Sequence, residues 1–114
     1  MNDLRLNKTV RVASETTEIV RGQEEKFLEQ LEPILRNHSV ELDLSPVERI
    51  DAAGIAALIR LYCDAAQAGR RFTVLNPRPH VFELLSIVGV DRVLIAEKAE
   101  SARGAALGIE LSAA

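Results

Sequence analysis

VELDLSPVERIDAAGIAALIRLYCDAAQAGRRFTVLN, residues 40–76, decides the fold. Val40, Leu42 and Leu44 alternate with Glu41, Asp43 and Ser45, the period-two pattern of a half-buried strand, and Pro46 ends it. After Asp51 the period changes. Ile55, Leu58, Ile59, Tyr62 and Ala66 gather on one side of a helix, which the projection makes the buried face. Asp51 is a good N-cap and Gly69 a good C-terminal stop. Phe72 and Val74 then alternate with Arg71 and Thr73, a second strand. A strand, a helix and a strand in this order pair in parallel through a right-handed crossover.

Working outward, Leu4, Leu6, Val10 and Val12 alternate with polar residues and predict an N-terminal β-hairpin. A three-residue loop, Asn7-Lys8-Thr9, would set Leu6 opposite Val10 and Leu4 opposite Val12. Residues 14–22 are polar and read as a connection. Phe27, Leu28, Leu31 and Leu35 recur at helical spacing from about Gln23 to Arg36. Pro33 lacks an N–H, so a kink or break is expected near Glu29–Glu32. Beyond residue 76, Val81, Leu84, Leu85 and Val88 fit the i, i+3, i+4, i+7 template, and Gly89 ends that helix. Val93-Leu94-Ile95 reads as a last short strand. Residues 97–114 read as a marginal helix or a flexible tail.

The expectation is a single α/β domain over residues 1–114, with its core in about 4–96. It has a mixed four- to five-stranded sheet and helices mainly on one face. Because the strands alternate, the other face is open, with Glu41 and Asp43 on the middle strand set against Arg5 and Arg11 on the hairpin and Arg71 on the following strand. The chain has 114 residues, 47% hydrophobic, enough for one core. A net charge of -3 argues against nucleic acid or an anionic membrane as the main partner. Cys63 is the only cysteine, so no internal disulfide or cysteine-based zinc site is expected. The chain shows no signal core and no membrane-length apolar run, so a cytoplasmic protein is the default expectation.

The chemistry of catalysis is not visible. Gly22, Gly54, Gly69 and Gly89 are isolated, so there is no glycine-rich phosphate loop. His38 reads as an exposed loop residue and His80 as an exposed residue in a first helical turn. Cys63, in mid-helix, reads as a small packing residue, and Asp91 as a turn residue. No enzyme, metal or cofactor is expected. On the helix after Asp51, Arg60, Asp64 and Gln67 project opposite the buried face, and Ala53, Ala56 and Ala57 fall on that outer side. Taken locally, these are good helix formers behind an ordinary cap.

The stretch from Val40 to about residue 95 resembles the STAS domain of bacterial anti-sigma factor antagonists. The resemblance lies in Asp43-Leu44-Ser45, Asp51…Gly54, Gly69, the strand at Phe72–Leu75 and Gly89-Val90, in that order and spacing. It implies a partner-switching module that binds an anti-sigma factor, often a serine kinase, and so frees a transcription factor. It places the family's phosphoacceptor, the residue before the motif glycine, at Ala53, with Ala52 before it. Neither can accept phosphate, so binding should persist or be regulated through the partner. The implied contact surface is Ser45, Pro46, Asp51, Ala52, Ala53, Gly54, Ala56, Ala57 and Arg60, with Arg78 and His80 beside it. A homodimer is compatible with this arrangement.

The same resemblance admits a second use. STAS domains also serve as accessory subunits of a bacterial phospholipid-transport ABC system, or within stress-sensing assemblies, and these need no phosphoserine. A third reading, of another class, is a small-ligand or nucleotide-binding domain. A degenerate scaffold with no switch is the fourth.

Overall fold

The structure is a computed structural model, and it describes residues 8–95. Its elements are β1 (Thr9–Ala13), β2 (Glu18–Ile19), α1 (Glu24–Leu35), β3 (Ser39–Asp43), β4 (Arg49–Ile50), α2 (Ala52–Gln67), β5 (Phe72–Leu75), α3 (Pro79–Ile87) and α4 (Asp91–Leu94). Among the described residues the main sheet has three strands in the order β1-β3-β5, all parallel. Each helical crossover carries one strand of a second, two-stranded parallel ribbon, β2-β4.

The register follows the alternation. Val10 pairs with Val40 and Val12 with Leu42; Val40 pairs with Phe72 and Leu42 with Val74. All six lie on one face, where Val40, Leu42, Phe72 and Val74 join Phe27, Leu31, Leu58 and Leu61 in one buried cluster. The opposite face carries Arg11, Glu41 and Thr73, and the Arg11 guanidinium lies 3.2 Å from the Glu41 carboxylate. One covered and one open face, with cross-strand charge pairing, is the arrangement that alternating strands require.

Several expectations change. The first hairpin arm, with Leu4, Arg5 and Leu6, lies outside the described residues, as does 97–114. Thr9 is not in a loop: it opens β1 opposite Ser39, whose N–H donates to the Lys8 carbonyl at 3.0 Å, so the parallel ladder already holds the backbone there. The polar stretch 14–22 contains β2, anchored by the buried Ile19. Helix α1 runs unbroken through Pro33. Pro33 sits on the exposed side, and the buried Leu31 and Leu35 hold the helix on both sides of the one lost hydrogen bond.

The expected strand at Val93–Ile95 is helical. Val93 and Leu94 N–H both donate to the Val90 carbonyl, and Ile95 N–H donates to Asp91. Three apolar residues in succession carry no period, and an Asp one position after the turn favours a helical first turn. Helices α2 and α3 both end in the same way. Gly69 and Gly89 adopt positive φ, and the next residue donates back to Ala65 or Leu85, the hydrogen bond of a Schellman motif.

Two helical faces are rotated from the expected ones. On α2 the buried residues are Gly54, Ile55, Ala57, Leu58, Leu61 and Ala65; Ile59, Ala66 and Cys63 are exposed, and Tyr62 is half-buried. This helix packs against α1 as well as β5, so its covered arc follows 54, 58, 61 and 65 rather than the bulkiest residues. On α3 only Val81 and Leu85 are buried, and Leu84 and Val88 reach solvent.

Candidate functional site

The first turn of α2 is fixed from both sides. Asp51 is in extended backbone, and its Oδ1 accepts from Gly54 N–H at 3.1 Å, the N-cap bond. Its Oδ2 accepts from Arg21 N–H at 3.0 Å, which ties the β2–α1 turn to the same carboxylate. The Arg21 N–H, and next the Gly54 N–H, hold the Asp51 carboxyl below its ordinary range. Gly54 is buried because the helix crosses β2 at close range. A Cβ there would lie 1.9 Å from the Ile19 carbonyl oxygen and 2.7 Å from Ile50 Cγ1. Only glycine lets the helix start at this place.

The alanines therefore differ in role. Ala52 and Ala56 are exposed, and Ala53 is partly exposed. They form the smooth outer side of the first turns. Ala57, expected beside them, is buried in the core cluster and cannot be a contact residue without rearrangement. Gly54, also expected on the surface, shapes that surface from below. The small residue at 57 marks close packing, which a projection ranked by side-chain size assigns to the wrong side.

A second cluster flanks the turn. Leu44 and Val47 are fully buried and anchor the β3–β4 loop, leaving Ser45 exposed and Pro46 partly covered between them. Ser45 N–H donates to Asp43 Oδ1 at 2.9 Å. That bond is the main reason the Asp43 carboxyl is held below its ordinary value; the Ser45 hydroxyl, the Asn76 amide and Arg11 add to it against a smaller effect of burial. Arg78, just before α3, donates from Nε to the Ser45 carbonyl at 2.9 Å. The His80 Nε2–H donates to the Glu48 carbonyl. The structure thus joins Ser45, Pro46, Arg78 and His80 around one loop.

Arg60 stands apart. It is seven residues from Ala53, roughly 10 Å along the helix, and its guanidinium pairs with Glu32 of α1 at 3.6 Å and Asp64 at 3.7 Å. Two other residues also differ from expectation. Cys63 is exposed instead of packed. His38 is only half-exposed, and its Nδ1 is buried without a hydrogen-bond partner. Three contributors to the site carried no sequence signal: Arg21, Glu48 and Ile19 act through backbone groups some 30 residues away.

Among the described residues, no group of three or more His, Cys, Asp or Glu side chains could hold a metal ion. No helix among them is long and apolar enough to cross a membrane. The geometry offers a first helical turn with alanines on its outer side, held by the two Asp51 bonds and the close approach of Gly54 to Ile19, with a polar loop beside it.

The family model described as "Mlab, STAS domain" matches residues 9–96. No curated protein matches the chain. The match spans both the sheet and the turn at Asp51–Gly54, and the chain belongs to the STAS domain family.

Proposed function

From this membership we propose that the chain is a non-catalytic protein-docking module of the anti-sigma factor antagonist type. Its contact surface is the first turn of α2, with Asp51, Ala52, Ala53 and Ala56, and the adjoining Ser45-Pro46 loop with Arg78 and His80. The carrying observation is the outward alanine surface held in place by a glycine with no room for a side chain and by a doubly bonded Asp51. Ala53 offers no hydroxyl. Phosphate, which would add about -1.5 to -2 charge at this helix start, has no acceptor at that position, so docking is not switched off there. The partner is an anti-sigma factor, in many such systems itself a serine kinase.

The description of the matching family model, Mlab, favours a second reading. Here the chain is the STAS accessory subunit of a bacterial phospholipid-transport ABC system. That role requires no phosphorylatable residue, which agrees with Ala52 and Ala53. Both readings use the same docking surface and differ in the partner.

Affinity purification of the full chain from its native cell, followed by mass spectrometry, separates them. Recovery of a serine-kinase-type anti-sigma factor supports the first reading, and recovery of a transport ATPase subunit supports the second. With a kinase partner and ATP, Ala53→Ser should become phosphorylated and release the partner. Phosphate found on a native residue such as Ser45 of the unmodified chain would contradict the absence of a switch.

A further inference from the structure

The strands of the main sheet are parallel, so their amino ends share one edge, and the start of α2 lies at the other. The amino edge gathers basic side chains. Thr9 pairs with Ser39, whose N–H donates to the Lys8 carbonyl, and Val40 pairs with Phe72 and donates to the Arg71 carbonyl. Carried outward, this register sets Lys8, His38 and Arg70 in one row, with about 5 Å between neighbours. Arg71 follows in the next row, where its N–H donates to Ser39 Oγ at 3.0 Å. Arg36, at the end of α1, joins the row because Arg70 donates from Nε and Nη2 to its carbonyl, at 3.2 and 2.8 Å.

Like charges side by side on neighbouring strands repel. Elsewhere the chain pairs its arginines: Arg11 with Glu41, Arg49 with Glu18, and Arg60 with Glu32 and Asp64. Among the described residues, no ion pair joins Lys8, Arg36 or Arg71 to a carboxylate, and all three are exposed. The carboxylates beside Arg36 in the cleft between the ends of α1 and α2 are Glu32 and Asp64, and Arg60 holds both. Cations suit the carbonyl ends of helices, which accounts for Arg36 and Arg70. Lys8 and Arg71 precede strands and have no such role. His38 is half-exposed with its Nδ1 buried, so its Nε2 is the ring nitrogen that a ligand can reach.

We propose that this edge binds a phosphate group. A carboxylate would neutralise only one of these cations. A phosphate monoester carries about -1.5 to -2 charge and three acceptor oxygens, which matches a row of cations on adjacent strands. The ammonium of Lys8 and the guanidinium forks of Arg36 and Arg71 are the donors that such oxygens take. The same group is presented by a soluble phosphate and by a lipid headgroup. The site lies at the opposite edge of the sheet from the alanine turn, so its occupation leaves the docking surface free.

The test uses the full chain. It is titrated with inorganic phosphate, and in parallel with sodium chloride at matched ionic strength, while backbone amide resonances are followed. Saturable shifts are expected at Thr9, Ser39 and Arg71, with Ala52 and Ala53 unmoved. The double variant Lys8→Gln with Arg71→Gln changes exposed side chains only and should keep its far-ultraviolet circular dichroism. It should bind phosphate roughly tenfold or more weakly, the factor that loss of a charge-assisted hydrogen bond carries. Cosedimentation with phosphatidylcholine vesicles, with and without phosphatidic acid, separates the sources. Binding to the phosphatidic acid vesicles that is lost in the double variant supports the site with a lipid headgroup as its ligand. Saturation by inorganic phosphate without vesicle binding supports it with a soluble one. Shifts that chloride reproduces, binding that the double variant retains in full, or no binding to either probe would overturn the proposal.

Discussion

Helices α2 and α3 start close to the same loop system but are held in opposite ways. The start of α2 is held by the Asp51 carboxylate, which accepts from Gly54 N–H and Arg21 N–H, and by a glycine pressed against the Ile19 backbone. The outward alanines, Ala52, Ala53 and Ala56, hold nothing and can be changed. The start of α3 has no side-chain cap and places Pro79 in its first turn. It is held by Arg78 and His80, exposed side chains that reach the carbonyls of Ser45 and Glu48. A surface whose shape comes from buried backbone is free to vary chemically. One held by its own exposed side chains is not, because the groups that fix it are also the groups that a partner meets.

The contrast is broken most severely at Gly54. Gly54→Ala drives a Cβ against the Ile19 carbonyl, which cannot move without disturbing the β2-β4 ribbon. A loss of about 3 kcal/mol is expected from overpacking of this kind, read as a lowered midpoint in denaturant titration. An equal midpoint would show that the helix start can shift, and the rigid turn would be refuted.

The next effect is in acid. The Asp51 carboxyl is held below its ordinary value of 3.8, first by Arg21 N–H and then by Gly54 N–H. Its contribution to stability is therefore complete above that ordinary value and is lost as pH falls through the lower folded value. Asp51→Asn should lower the midpoint at pH 7 and make the acid limb below about pH 4 less steep. A limb as steep as that of the native chain would mean that Asp51 is not the linked group.

Arg78→Ala and His80→Ala should each cost less than about 1 kcal/mol, since both bonds are solvent-exposed. Their effect belongs in the loop: faster hydrogen exchange around Ser45–Glu48, with α2 unchanged. The smallest change is expected on the open sheet face. Removing the Arg11–Glu41 pair, 3.2 Å apart and largely exposed, should alter stability by about 0.5 kcal/mol or less and by nothing at high salt.

The strand–helix–strand unit over residues 40–76 was legible because two periods, 2 and then 3.6, each persist for several residues and are separated by a cap. The ribbon β2-β4 was not, because two-residue strands have no period. Its existence rests on Ile19 and Ile50 being buried together. The site was half legible. Asp51, Ala52, Ala53 and Ala56 lie where the sequence implies, whereas Ala57 and Gly54 face inward, since a projection shows direction but not how near the next backbone comes. Arg60 lies roughly 10 Å further along the same helix, paired with Glu32 and Asp64. Nothing local could have connected Arg21 or Glu48 to the site, because each acts through a main-chain group whose partner is set by the tertiary fold.

The most direct measurement of the central claim is a binding titration of the purified partner against the full chain and two variants on α2. Ala56→Arg places a long charged side chain on the smooth outer turn, and Gln67→Arg places the same side chain at the exposed far end of the helix. Both should leave stability within about 0.5 kcal/mol. Docking at the alanine turn predicts at least tenfold weaker binding for Ala56→Arg and native affinity for Gln67→Arg. Native affinity for Ala56→Arg would contradict it.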